Sequence, residues 1–301
     1  MATTLDDLLE IQVGDQHIAG TLVTPGTLIP GVLFVHGWGG TQQQYITRAR
    51  EVAALGCVCL TFDMRGHART QEQSKNVTRA DNLCDLIAAY DVLIHQRGVD
   101  ASAVAVVGSS YGGYLATILT ELRPVRWLAL RAPALYKDSE WSLPKDQLRK
   151  LQQLDAYRRV PVRTADSRAL RACANFTGHA LLVESADDSI IPAQVIANYR
   201  QAFDKAASVT HRILEDADHA LSSPASQQAY TSLLVSWLSE MIRGARADSK
   251  TTQVVAKAEG AGDTAEGKSS ASNGAAMPSV REPVGERETV QRSPATASRP
   301  G

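Results

Sequence analysis

The stretch AVAVVGSSYGGYLATIL, residues 103–119, opens as a strand and closes as a helix. At the junction Ser109 and Ser110 stand side by side, hemmed in by Gly108, Gly112 and Gly113. A tight strand-to-helix turn with a serine capping the helix would use such residues. So would a nucleophile raised on a strained turn, for which the pattern is G-x-S-x-G. Gly108 and Gly112 place Ser110 at the centre of that pattern, whereas Ser109 is followed two residues later by Tyr111. The context, strand before and helix after, favours the nucleophile.

Outward from this turn the chain alternates strands and helices. HIAGTLVTP, PGVLFVHG and CVCLTFD read as strands before it, with a helix at about residues 45–55. A long amphipathic helix at about 78–97 carries Leu83, Leu86, Ile87, Tyr90 and Leu93 at helical spacing. RWLALRAP, HALLVES and THRILED are strands after it, and a helix at about 224–242 closes the series. The expected class is α/β: a mostly parallel sheet covered by helices on both faces. In such sheets chemistry gathers in loops beyond the carboxyl ends of the strands.

A serine hydroxyl needs a base, and the base an orienting carboxylate. On this type of sheet the chain order is serine, acid, histidine. That order selects His219, in the loop after THRILED, over His36, which precedes the serine. The acid belongs to LLVESADDSIIP, where Asp187 and Asp188 both fall in the loop and spacing does not separate them. An oxyanion needs two backbone N–H groups, one from Tyr111 and one from the glycine-rich loop after GVLFVHG.

HGWGG, FDMRGH, GSSYGG, DDSIIP and DADHA, in this order, resemble the α/β-hydrolase superfamily over roughly residues 11–243. Short single-domain esterases and acyl-aminoacyl-peptidase-like hydrolases share the pattern. The resemblance implies that Asp188, four residues before Pro192, is the acid, with Asp187 the fallback. It also implies that Trp38 supplies the second oxyanion N–H, and that Asp63 and Arg65 pin a loop. Ala68, where glycine is usual, and Ser185, before the acid loop, depart from the family pattern.

Between RAPALY and HALLVES lie about forty residues, more than a common connection needs. They read as a small helical cap, about 138–178, over the active-site mouth. Ser142 and Pro144 signal the start of a helix, and Leu148, Leu151, Leu154 and Tyr157 would line one face. The cap is basic, which suits a solvated face or an anionic substrate. Trp141 would pack beneath it or reach into the pocket.

From 244 to 301 the chain lacks aromatics, leucine and isoleucine, so a disordered tail is expected beyond a hydrolase domain at 1–243. The formal net charge of −1 leaves no electrostatic footprint for nucleic acid. No apolar run approaches the ~20 residues of a membrane span. Four unpaired-looking cysteines and an acidic start suggest a reducing, cytoplasmic setting. Phosphate loops, H-E-x-x-H and clustered cysteines are missing, so neither metal nor cofactor is expected. The function these residues imply is a serine hydrolase that cleaves small to medium carboxylic esters through an acyl-enzyme. A peptidase, thioesterase or acyltransferase would use the same machinery, and a non-catalytic ligand-binding protein would use the same fold.

Overall fold

In the computed structural model, which describes residues 4–25 and 30–262, eight strands form one sheet. In chain order they are β1 (Thr4–Val13), β2 (Gln16–Pro25), β3 (Gly31–Val35), β4 (Val58–Phe62), β5 (Val104–Ser109), β6 (Trp127–Arg131), β7 (His179–Asp187) and β8 (Ser208–Asp218). Their order across the sheet is β1-β2-β4-β3-β5-β6-β7-β8. β1, β2 and β4 pair antiparallel, and every pairing from β4 to β8 is parallel. The expected α/β class is present, with one addition. β1 folds back on β2 through Gly14 and Asp15, with Gly14 at φ +58°. Its second arm reads from the sequence as the strand HIAGTLVTP but its first only as an acidic start, because the one strong sign of the pairing is the glycine of a two-residue turn.

The central strands are buried on both faces, and their alternation sorts the core into two layers. Val104 and Val106 of β5 pack with α2 (Arg79–Ile94) and α3 (Tyr111–Leu119). The same layer takes α6 (Arg168–Asn175) and α7 (Ala193–Ala202). Ala105 and Val107 pack on the other face with α1 (Gln43–Ala53) and α8 (Pro224–Gly262). A period of two in the strand therefore assigns each helix to a face. α2 starts with a capping box in which Thr78 and Asp81 satisfy each other's backbone N–H.

The cap and the tail each depart from their reading. The cap helix is broken: α4 (Lys145–Leu151) stops, Gln153 turns left-handed at φ +48°, and α5 (Leu154–Tyr157) restarts. The break turns Leu148 and Leu154 inward and leaves Leu151 at 53% exposure, so the expected single apolar face does not form. α8 continues through Gly244, where the tail was expected to begin, to Gly262. One unit ends at Thr251 and a second begins at Thr252; the expected tail from 263 onward lies outside the described residues.

Candidate active site

Strand register brings the site together. Val35 pairs with Gly108, Ser109 with Arg131, and Arg131 with Val183. The loops leaving β3, β5, β6 and β7 therefore emerge side by side at one edge. At the tip of β5, Ser110 holds φ +51° and ψ −118°. A non-glycine residue in this region costs about 1–3 kcal/mol and persists only where its surroundings enforce it. Here the Ser110 N–H donates to Arg131 O at 2.9 Å, and Ser110 O accepts from Ala134 and Tyr114 N–H. The flanking glycines are steric necessities. A Cβ on Gly108 would sit 2.7 Å from Gly112 O, and one on Gly112 would collide with the carbonyls of His36 and Val35.

The side chains meet. His219 Nε2 lies 3.0 Å from Ser110 Oγ, and His219 Nδ1 lies 2.7 Å from Asp188 Oδ2. A carboxylate only accepts, so Nδ1 carries the proton and Nε2 is free to accept from the serine hydroxyl. The other oxygen of Asp188 accepts from Ile190 and Ile191 N–H, both at 2.8 Å. Burial works to raise the Asp188 carboxyl, but the His219 ring and those two N–H groups outweigh it and hold it below the usual carboxylate range. Asp187 is exposed at the end of β7 and pairs in register with Asp218. The geometry thus joins Ser110, His219 and Asp188 and leaves Asp187 out.

The β3 loop lies against the serine. A Cβ on Gly37 would come within 3.3 Å of Ser110 Cβ, and Gly40 N–H closes a turn onto Gly37 O at 3.0 Å. Neither the Trp38 nor the Tyr111 N–H meets a protein acceptor among the described residues, as an oxyanion pocket requires. Two histidines buttress the loop. His67 Nε2 accepts from Gly39 N–H at 3.1 Å, and His36 Nε2 accepts from Met64 N–H at 3.0 Å. Both rings must be neutral to accept. Burial keeps His67 below its ordinary value, and burial with His67 nearby lowers His36 to about 3. Sequence reasoning passed over this use of His67, although it closes the quoted FDMRGH segment. Asp63 accepts from Gln42 N–H at 2.7 Å, and Arg65 grips Asp85 at 2.6 Å, so both act as loop pins.

A cavity of about 330 Å³ opens beside Ser110 and His219. Trp38 walls it, together with Arg48, Arg131 and Tyr230. No residue of 138–178 lines it. Trp141 stacks instead on Tyr114 with Arg79 over its ring, which resolves its two readings in favour of packing. Lys145, expected on a solvated face, is buried with its ammonium over Trp38, Tyr111 and Tyr136. Among the described residues no cluster of His, Cys, Asp and Glu suits a metal ion, and no helix is long and apolar enough to cross a membrane.

The model of the prolyl oligopeptidase family matches residues 43–245. The alpha/beta hydrolase ucsC of an Acremonium species is 33% identical over 122 residues, which is 38% of this chain and 24% of that protein. The chain thus spans about a quarter of the length of this curated relative. Est1E from Butyrivibrio proteoclasticus, solved with ferulic acid bound, has a TM-score of 0.62 at 14% identity, over 78% of this chain and 99% of that one. The acylaminoacyl peptidase of Pyrococcus horikoshii has a TM-score of 0.58 at 17% identity, over 78% of this chain and 41% of that one. At these identities the likeness to solved structures is one of fold.

Proposed function

The chain belongs to the prolyl oligopeptidase family, and from that premise we propose that this serine hydrolase of α/β fold cleaves carboxylic esters of small to medium acids. The supporting observation is the hydrogen-bond chain from Asp188 through His219 to Ser110. Ser110 Oγ attacks the acyl carbon while His219 Nε2 takes its proton. The oxyanion forms beside the Trp38 and Tyr111 N–H groups, at the N-terminus of α3, whose dipole favours negative charge. Collapse expels the alcohol, which leaves with the proton from His219 and gives an acyl-serine. Water then adds with His219 again as base, and the free acid departs. Asp188 holds the imidazole in its tautomer and offsets the charge of the imidazolium.

A cavity of about 330 Å³ sits at the small end for ligand sites, which suits a modest substrate. Est1E, of like fold, is solved with a small acid, ferulic acid, bound. The family match favours a second reading, cleavage of a peptide or aminoacyl amide by the same groups. The free thiols at Cys59, Cys84 and Cys173 fit a cytoplasmic setting. A panel of activated esters, thioesters and aminoacyl amides of graded length, assayed beside Ser110→Ala, separates these readings. Short esters are expected to lead in kcat/KM, with a loss of several powers of ten in Ser110→Ala. Activity in Ser110→Ala comparable to wild type contradicts the proposal, and amides turned over faster than esters transfer it to the peptidase reading.

A further inference from the structure

The cavity beside Ser110 holds two guanidinium groups that the ester chemistry does not use. Arg48, on α1, is 8% exposed, and Arg131, at the end of β6, is 6% exposed. Their hydrogen-bond partners are neutral. Arg48 Nε donates to Thr231 Oγ1 at 3.1 Å, and its guanidinium lies over the Tyr230 ring at 4.7 Å. Arg131 donates to His219 O at 2.9 Å and to Ser185 Oγ at 3.4 Å. The carboxylate that Arg131 influences, Asp218, is bound by the Ser222 N–H at 2.7 Å and hydroxyl at 2.5 Å. A guanidinium carries five N–H donors, so one contact for Arg48 and two for Arg131 leave most of the pair's capacity unspent.

Ser109 and Tyr230 border the cavity, but their hydroxyls are buried against each other, the Ser109 hydroxyl working against the burial that raises the Tyr230 phenol. Fastening α1 to α8 and the His219 loop to β6 explains the bonds the arginines make, but not two charges around one void. Buried charge without a counter-ion is costly in a low dielectric, and an entering anion would offset that cost.

We propose that Arg48 and Arg131 form a carboxylate-binding subsite, so that the substrate is an ester bearing a free carboxylate near its scissile carbonyl. A planar fork suits a carboxylate, which takes two parallel N–H bonds. This rests on the hydrolase reading of Ser110.

The test uses matched pairs in which one carboxylate is replaced by its neutral amide. Monomethyl glutarate against methyl glutaramate places the carboxylate on the acyl side. Acetylglycolate against acetylglycolamide places it on the alcohol side. In one series kcat/KM for the acid is expected to exceed the amide by about tenfold or more. Arg48→Met should bring that ratio to about one, and Arg48→Lys, which keeps the charge but loses the fork, should hold an intermediate ratio. Ratios near one in both series for the wild type overturn the subsite while leaving the hydrolase reading intact. If neither series is turned over and a fluorophosphonate fails to label the protein, the hydrolase reading fails instead. The subsite is then judged by calorimetry on Ser110→Ala with the same four compounds. Tighter binding of an acid than of its amide, lost on adding Arg48→Met, supports it, and equal binding of acids and amides overturns it.

Discussion

Among the described residues five cationic side chains are buried, and they fall into two groups. Arg79, Lys145 and Arg158 lie on the side of the cap. Arg79 donates to Tyr114 OH at 3.1 Å and to the carbonyls of Lys137 and Ser139, while Arg158 donates to Leu135 O at 3.1 Å. Lys145 faces three aromatic rings between 4.7 and 5.2 Å away. Burial works to raise the Tyr136 phenol, but Lys145 and Arg158 outweigh it and pull it below the ordinary tyrosine range. These charges face rings, carbonyls and a phenol, although Arg79 Nε completes no hydrogen bond. Arg48 and Arg131 are as deeply buried, yet they border a cavity and keep most of their donors free. Burial of a cation is thus no sign of a binding site by itself. Unspent donors beside open volume are.

The comparison presumes that the reaction takes place at the serine edge, and the largest expected effect tests that presumption. Asp188→Asn should lower kcat/KM on an activated ester by about four powers of ten, because the wrong imidazole tautomer is favoured. Asp187→Asn should stay within about twofold, as an exposed substitution does. Equal losses in the two variants would remove the distinction between them.

Lys145→Met sharpens the contrast on the closed side. It removes three ring contacts from a desolvated ammonium, and the unfolding free energy in urea should fall by roughly 2 kcal/mol. The acid-to-amide ratio that defines the proposed subsite should not change. A collapse of that ratio in Lys145→Met would erase the division into two groups.

The closed side also carries the pH dependence of stability. His36 is held at about 3 in the folded chain, below its ordinary value of 6.5. The unfolded chain therefore takes up the proton first, and stability falls as pH drops from 6.5 toward 3. Between pH 7 and pH 5 the loss should be about 2 kcal/mol from this group, with His67 adding in the same direction. Urea midpoints across that range check it, and a flat profile would mean that neither ring is buried neutral.

Much of the site was legible because its signals are local. Gly108, Ser110 and Gly112 fix a turn within five residues, and Asp188 and His219 each follow a strand end. The cations were not legible, since their burial is decided at long range. Arg48 faces Thr231, 183 residues away in sequence. In α1 alone it reads as the polar stripe of an amphipathic helix. Arg131 closes an apolar strand, and only its register with Ser109 puts it at the rim. Lys145 sits in a run of basic residues whose spacing suits solvent. The break at Gln153 and the burial of the start of α4 place it among aromatic rings instead.

The central claim is that Ser110, and not its neighbour, is the nucleophile that His219 activates. Treating the full chain with a fluorophosphonate and mapping the adduct by mass spectrometry tests it directly. One adduct is expected, on Ser110, absent in Ser110→Ala and slowed by orders of magnitude in His219→Gln. An adduct on Ser109, or none at all, would contradict the claim.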